Sequence, residues 1–190
     1  MSSIHKVLLV LLPLLVWSAP LAAQDPQLFD GYWVFNEGAS DSTDKAVEKA
    51  LKAMGQKVNS RWFSRDKERY RGGPADQELY DRISYDRVLT IEYRDDTYFF
   101  SYADDYQRVV YTDNRSRSGS LTGLDTLEDF SLAHWEGETL VVEARPRDGG
   151  FAEESYTLIN AGKQLRAEFY ILPRTFTSPV EVTRVFDRSP

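Results

Sequence analysis

Hydrophobic and polar residues alternate one by one through most of the second half of the chain. In 139–144 and 164–171, every second residue is Leu, Val, Ala, Phe or Ile, and the residues between them are mostly polar or charged. A period of two is typical of a strand with one buried face and one wet face. The same reasoning predicts about eight or nine strands, over 32–35, 88–93, 98–102, 106–112, 130–135, 139–145, 153–159, 163–172 and 180–187.

Short turn sequences separate these strands and favour an antiparallel meander. Asp95-Asp96 and Asn160-Ala161-Gly162 have turn chemistry, and Glu136-Gly137 fits a two-residue hairpin with Gly at positive φ. Residues 113–123 read as a loop with, at most, a short edge strand. A meander of this length usually closes, because closure removes exposed strand edges. We therefore expect a mainly β chain with a single antiparallel up-and-down β-barrel, with a two-layer sandwich as the alternative.

Residues 40–54 have helical rather than strand periodicity. Three residues that can cap a helix open the segment, and Gly55 suits the position just beyond its end. The pattern predicts an amphipathic helix after the first strand, laid across an end or flank of the sheet. Pro74 at a first helical position predicts a short second helix over 74–83. The apolar face of the first helix comprises Ala46, Val47, Ala50, Leu51 and Met54.

The N-terminus has the layout of a secretory signal peptide. His5 and Lys6 precede an apolar run over 7–17, and small residues follow up to Ala23. We predict cleavage after Ala23, which divides the chain into a signal peptide (1–23) and one barrel domain (24–190) without a transmembrane anchor. Residue 24 is Gln and not Cys, so a lipid anchor is not possible there. These features predict a periplasmic or secreted protein; the alternative is a retained membrane anchor.

Composition narrows the function classes. The 190-residue chain has a formal net charge of −7 and no Cys. An acidic chain is a poor partner for nucleic acids, and the lack of Cys excludes disulfides, thiolate catalysis and Cys-ligated zinc. After Ala23 the single histidine is His134, which we interpret as structural or surface-exposed. We therefore expect no metal, no cofactor and no enzymatic activity.

Adjacent carboxylates are the remaining catalytic material. Asp95-Asp96, Asp104-Asp105 and Glu153-Glu154 are the pairs. Neighbouring residues of a strand point to opposite faces, so such a pair converges only where a turn bends it. Asp is also common in turns for its own reasons. We therefore interpret these carboxylates as solvated.

The segment 56–73 differs from the acidic remainder. It has six basic and two acidic residues, a local balance of +4, with aromatic residues interspersed. Such a mixture can stack on and neutralise an anionic ligand or partner. The alternative is an inserted loop with solvated charges. The candidate anion- or partner-binding residues are Arg61, Trp62, Arg65, Arg69, Tyr70 and Arg71.

Two resemblances add to this picture. Gly31-Tyr32-Trp33-Val34-Phe35-Asn36, the tract 135–143 and the ending 183–188 resemble a group of uncharacterised secreted bacterial proteins, a resemblance that implies no activity. Gly31-Tyr32-Trp33 also resembles the Gly-x-Trp opening of lipocalins, whose last strand places an Arg over that Trp. The resemblance implies lipocalin-like closure, with Arg184 in the arginine's role.

Aromatic residues crowd the first hairpins of the predicted barrel, within a total of 4 Trp, 11 Tyr and 10 Phe. Inside a barrel such rings either fill the core or line a ligand cavity. We predict an exported, lipocalin-like binding protein for a small apolar or amphipathic ligand, gated by the helix over 40–54. The alternative is a structural or interaction protein of the bacterial cell envelope that uses 56–73. The candidate ligand-binding residues are Trp33, Tyr93, Phe99, Tyr102, Tyr111 and Arg184.

Overall fold

A computed structural model describes residues 25–56, 87–102, 107–112, 117–119, 129–145 and 150–190. Ten antiparallel strands form one sheet in these residues. They are β1 (Gly31–Phe35), β2 (Val88–Arg94), β3 (Thr97–Tyr102), β4 (Gln107–Tyr111), β5 (Arg117–Gly119), β6 (Asp129–Glu136), β7 (Thr139–Arg145), β8 (Gly150–Ile159), β9 (Gln164–Pro173) and β10 (Val180–Ser189). Two 3₁₀ turns (Pro26–Phe29 and Glu37–Ala39) and one helix, α1 (Thr43–Ala53), complete the elements.

The sheet curls into a nearly closed barrel. Its strand order is β4-β3-β2-β1-β10-β9-β8-β7-β6-β5, so β1 pairs with β10 and the rest follow chain order. The two edges approach each other, because β4 also contacts β5 and β6. The predicted fold, a single antiparallel up-and-down barrel with a helix after the first strand, is confirmed. The three-residue β5 is a short edge strand within 113–123, as the sequence analysis allowed, and it brings the count to ten. The predicted signal peptide and second helix lie outside the described residues.

The helix begins later than its pattern predicts. Residues 37–39 form a 3₁₀ turn, and the helix starts after Ser42, whose Oγ accepts a hydrogen bond from the Lys45 N–H at 3.4 Å. It ends before Gly55, which has the positive φ of +74° expected beyond a helix end. Val47, Ala50 and Leu51 are buried against one end of the barrel. The predicted apolar face therefore covers an opening of the sheet.

Two apolar clusters of described residues lie in the interior. The cluster under α1 combines that helix with the ends of β7–β10: Val47, Ala50, Leu51, Ala144, Ala152, Ile171, Phe176, Val180 and Val182. The larger cluster occupies the opposite end and the middle: Phe29, Trp33, Leu89, Ile91, Tyr98, Phe100, Val110, Ala133, Leu140, Val142, Tyr156, Leu165, Ala167 and Phe186. Phe169 packs against both clusters. The level of Phe169 is therefore where the two clusters meet.

The end opposite α1, which we call the closed end, is plugged by the first 3₁₀ turn. Trp33 is 0% exposed and donates its indole N–H to the Phe29 carbonyl at 3.0 Å. The Arg188 guanidinium lies 4.2 Å from the centre of the Trp33 ring. It also donates to the carbonyls of Asp30 at 2.7 Å, Leu28 at 2.6 Å and Gly162 at 2.8 Å. The prediction that Arg184 packs over Trp33 is wrong: β10 places Arg188 opposite Trp33 and Arg184 nearer α1.

Candidate functional site: a polar cluster inside the barrel

Two charged side chains of opposite sign face the interior of the barrel. On β8, the buried residues Ala152, Glu154 and Tyr156 alternate with less buried ones, so Glu154 points inward with its apolar neighbours. On β4 the same alternation turns Arg108 inward beside Val110. Both are about 5% exposed. The strands therefore bury two opposite charges within an aromatic core.

Arg108 and Glu154 form a bidentate ion pair. Nη1 donates to Oε2 at 2.8 Å, and Nη2 donates to Oε1 at 2.8 Å. The Tyr156 hydroxyl donates to the same Oε2 at 2.5 Å, and the Tyr102 hydroxyl accepts from Arg108 Nη1 at 3.4 Å. Paired N–H···O bonds of this kind fix direction as well as distance. We call these four residues the polar cluster.

The surroundings hold the polar cluster in its charged form. Burial alone would lower the pKa of Arg108, but the Glu154 carboxylate raises it well above its ordinary value. Burial raises the pKa of Tyr156, and the negative charge of Glu154 raises it further. The tyrosine therefore keeps its proton at any ordinary pH. At neutral pH the cluster therefore combines the Arg108–Glu154 ion pair with a protonated Tyr156.

Aromatic rings enclose the polar cluster. The Phe100 and Tyr156 ring centres are 5.1 Å apart, and the Tyr156 and Phe169 ring centres are 6.2 Å apart. Tyr102 and Phe169 face inward by their strand register yet are only half-buried. Two inward aromatic rings beside the polar cluster therefore keep part of their surface accessible.

A second inward arginine lies nearer to α1. Arg184 is 6% exposed, and its guanidinium is 4.7 Å from the Phe35 ring centre. Its Nη2 donates to the hydroxyl of Thr43, the first residue of α1. The predicted inward direction of Arg184 is confirmed, but its aromatic partner is Phe35 and not Trp33. This contact ties the start of α1 to the barrel wall.

A groove of about 410 Å³ lies outside the barrel, next to α1. The outward residues Glu153, Glu168 and Glu181 line it together with Lys49. Lys49 and Glu181 are both strongly exposed and their charged atoms are 3.8 Å apart. Asp41 adds a fourth carboxylate to the lining, and the inward residues Phe169 and Val182 also reach the groove. An open groove with several charged side chains is a poor place for an apolar ligand, which needs buried hydrophobic lining.

The structure separates the predicted ligand-binding residues. Trp33, Tyr93, Tyr102 and Arg184 face inward, although Tyr93 and Trp33 belong to the closed end and only Tyr102 joins the polar cluster. Phe99 and Tyr111 have the opposite strand parity from the buried Phe100 and Val110, so they lie on the outer face. Their predicted place in an interior site is therefore wrong. The Arg94 guanidinium covers the Phe99 ring at 4.1 Å.

The predicted partner-binding residues Arg61, Trp62, Arg65, Arg69, Tyr70 and Arg71 lie outside the described residues. Their role stays a prediction. Within the described part of the chain, no helix has the length and apolar character needed to cross a membrane. No group of three or more His, Asp or Glu side chains that could hold a metal occurs in that part either. His134 sits on β6 with Nε2 3.2 Å from Glu136 Oε1.

Arg108, Glu154 and Tyr156 were missed by the sequence interpretation. The prediction that Glu154 is a solvated carboxylate is wrong, because its side chain is 5% exposed inside the barrel. A signal was present: Ala152, Glu154, Tyr156 and Leu158 form one face of β8, and that face is otherwise apolar. A charged residue that falls among the inward-facing apolar positions of one strand, together with an opposite charge at such a position on another strand, predicts a buried ion pair.

Comparisons with known proteins give the fold and no family. No family model matches the chain, and no curated protein matches it. Solved structures do. Apo lipid binding protein 8 of Caenorhabditis elegans has 13% identity, covers 88% of this chain and 100% of its own, and gives a TM-score of 0.51. Fatty-acid-binding protein 1 of Echinococcus granulosus has 10% identity and a TM-score of 0.50, and the match covers 86% of this chain and 99% of that protein.

A third similar structure is a mutant of the fluorescent protein UnaG, with 17% identity and a TM-score of 0.50. The match covers 86% of this chain and 98% of that protein. At these identities the likeness concerns the fold. The chain has the barrel architecture that these proteins share.

Proposed function

We propose that this barrel binds a small amphipathic molecule, with the apolar part among the interior rings and the polar part at Arg108 and Tyr102. The observation that carries the proposal is the buried Arg108–Glu154 pair. Replacing a buried ion pair with apolar residues of similar volume is often neutral or stabilising. A barrel that only had to be stable would gain little from the pair. Polar groups placed in an apolar pocket are, however, what orients a ligand.

Two further observations support this proposal. Tyr102 and Phe169 lie beside the polar cluster, face inward and stay half-buried, so the level offers accessible apolar surface. The similar barrels include proteins named as lipid-binding and fatty-acid-binding. α1 covers the end of the barrel nearest this level and is a candidate gate for entry.

The test combines dye binding with a larger side chain at position 169. Nile red, a neutral dye that fluoresces in apolar surroundings, is titrated into the purified protein. We expect saturable binding by the native chain and loss of binding in Phe169→Trp, whose larger ring occupies the interior. Tyr170→Trp, on the next residue but on the outer face and 38% exposed, is the matched control and should bind normally. Circular dichroism checks that both variants fold, because overpacking can cost about 1–3 kcal/mol.

Equal dye binding by Phe169→Trp and the native chain would place the dye elsewhere and contradict the proposed site. Native mass spectrometry of the protein as purified gives an independent measurement, in which a bound molecule should add a defined mass to the native chain and not to Phe169→Trp.

We also propose that the chain is exported and cut after Ala23. The support is the sequence pattern of the first 23 residues, a basic start, an apolar run and small residues before the cut. The intact mass of the protein recovered from a bacterial periplasm should correspond to a chain that begins at Gln24. A mass that includes Met1 would contradict export by cleavage.

A further inference from the structure

We infer that the polar group of the bound molecule has no net charge: a hydroxyl, ester or amide rather than a carboxylate or an ammonium. The inference rests on the proposed binding of an amphipathic molecule at the polar cluster. It goes beyond that proposal because it specifies the chemistry of the ligand head group. It comes from the way in which Arg108 and Glu154 engage each other.

The ion pair uses the face of the guanidinium that would otherwise receive an anion. Both Nη atoms of Arg108 donate to Glu154, one to each carboxylate oxygen, at 2.8 Å. A carboxylate ligand would need the same fork of donors for a bidentate bond. To obtain it, the ligand would have to displace Glu154, which is itself only 5% exposed. An unpaired carboxylate would then remain buried, and such a state is strongly unfavourable.

An ionised head group that left the pair intact would also meet a like charge. The two charges of the pair are joined by bonds of 2.8 Å, so a charged group that binds Arg108 also interacts with Glu154. An anion would be repelled by Glu154, and a cation by Arg108. In a low-dielectric interior this repulsion is screened much less than in water. The pair therefore selects against both signs of charge.

A neutral polar group meets no such penalty. A guanidinium has five N–H donors, of which Arg108 uses two for Glu154 and one for the Tyr102 hydroxyl. The Tyr156 hydroxyl donates to Glu154, and its oxygen retains acceptor capacity. A hydroxyl or amide can both donate and accept, which matches this mixture. Hydrogen bonds to a charged donor are also stronger than those between neutral groups.

Arg184 is the other buried cation among the described residues, and it is the alternative anchor for an anionic head group. Its guanidinium stacks on Phe35 and donates to Thr43 at the start of α1. These contacts assign it to the attachment of the helix. The experiment below includes a variant that tests this assignment.

The test uses ligands that differ only in the head group. Hexadecanol, hexadecanamide, palmitate and hexadecylamine compete with Nile red at pH 7.5, below the concentration at which each aggregates. With the native chain, we expect hexadecanol and hexadecanamide to displace the dye at concentrations at least about tenfold lower than palmitate or hexadecylamine. In Glu154→Gln the arginine charge is no longer cancelled, so palmitate should gain at least about tenfold relative to hexadecanol. Glu153→Gln, on the next residue and the outer face, should behave as the native chain.

The outcomes separate the two proposals. If palmitate is the best competitor for the native chain, the neutral head group is wrong while the binding function stands; a loss of palmitate binding in Arg184→Gln would then identify Arg184 as the anchor. If Nile red does not bind, or nothing in the series displaces it, the proposed function fails and the inference fails with it. If Glu154→Gln does not fold, the native series alone decides, because the order of its competitors is already the prediction.

Discussion

The closed end and the polar cluster each combine a buried aromatic ring with an arginine, but the two arginines contact different groups. At the closed end, Arg188 lies over Trp33 and donates to three main-chain carbonyls. In the polar cluster, Arg108 is buried and donates to one carboxylate. Main-chain carbonyls must find donors wherever a chain folds, whereas a carboxylate inside a barrel is not required by the backbone. The comparison contrasts an arginine that satisfies main-chain carbonyls with one whose carboxylate partner the backbone does not require.

The closed end should be the more sensitive of the two to loss of apolar volume. Trp33→Ala removes a ring that is 0% exposed and packs in the larger cluster. We expect a loss of free energy of unfolding toward the upper part of the roughly 3–5 kcal/mol typical of such changes. Urea denaturation followed by circular dichroism measures it. Tyr32→Ala, on the neighbouring residue with 45% of its surface exposed, is the control and should lose far less. Equal losses would show that Trp33 does not organise this end.

The polar cluster should behave differently, because both members of the pair can be removed together at little cost. Glu154→Ala alone leaves Arg108 buried without its carboxylate, and we expect a loss of about 3 kcal/mol. The double variant Arg108→Met, Glu154→Met should recover to within about 1 kcal/mol of the native chain, since apolar replacements of buried pairs are often neutral. Urea denaturation of the two variants gives the comparison.

A double variant as unstable as Glu154→Ala would show that the pair is needed for folding, and would remove the main support for a functional role. Glu153→Ala is the control on the same strand, because that side chain lines the outer groove.

The contacts that Arg188 makes around Trp33 should require the shape of a guanidinium and not only its positive charge. Arg188→Lys keeps the charge but cannot span the carbonyls of Leu28, Asp30 and Gly162. We expect a loss of about 2 kcal/mol, since hydrogen bonds from charged groups contribute roughly 1.5–3 kcal/mol. Arg174→Lys, at an exposed position, should change stability by less than about 0.5 kcal/mol. If Arg188→Lys is as stable as its control, charge alone is sufficient at this position.

Sequence patterns predict the strands of the barrel wall well and the side-chain contacts inside the barrel less well. Alternation located the predicted strands because side-chain direction follows parity, and the same parity could have turned Phe99 outward and Glu154 inward. Arg184 and Arg188 are four residues apart on β10. Which of the two covers Trp33 depends on the register of β10 against β1. The pairing of Arg108 with Glu154 joins β4 to β8 across the interior. Parity predicts that each charge turns inward, but which partner it meets depends on how the barrel closes.

The smallest predicted effect concerns pH at the closed end. Burial raises the pKa of Asp30, and the hydrogen bond that its Oδ1 accepts from the Tyr93 N–H at 2.7 Å lowers it, with a net rise above the ordinary 3.8. The native state therefore holds this proton more tightly than the unfolded chain does. Its contribution to stability is greatest below pH 3.8 and falls as the pH rises through the native pKa.

Asp30→Asn cannot titrate but can still accept the Tyr93 hydrogen bond. The variant should therefore gain stability relative to the native chain as the pH rises from 3.5 to 6, and the measurement is the difference between their urea midpoints across that range. Other carboxylates titrate in the same range, but they titrate in both proteins and cancel in the difference. A difference that is flat or of opposite sign would mean that the hydrogen bond from Tyr93, rather than burial, dominates at Asp30. The closed end would then favour a charged acceptor, as the polar cluster does, and the contrast between the two regions would weaken.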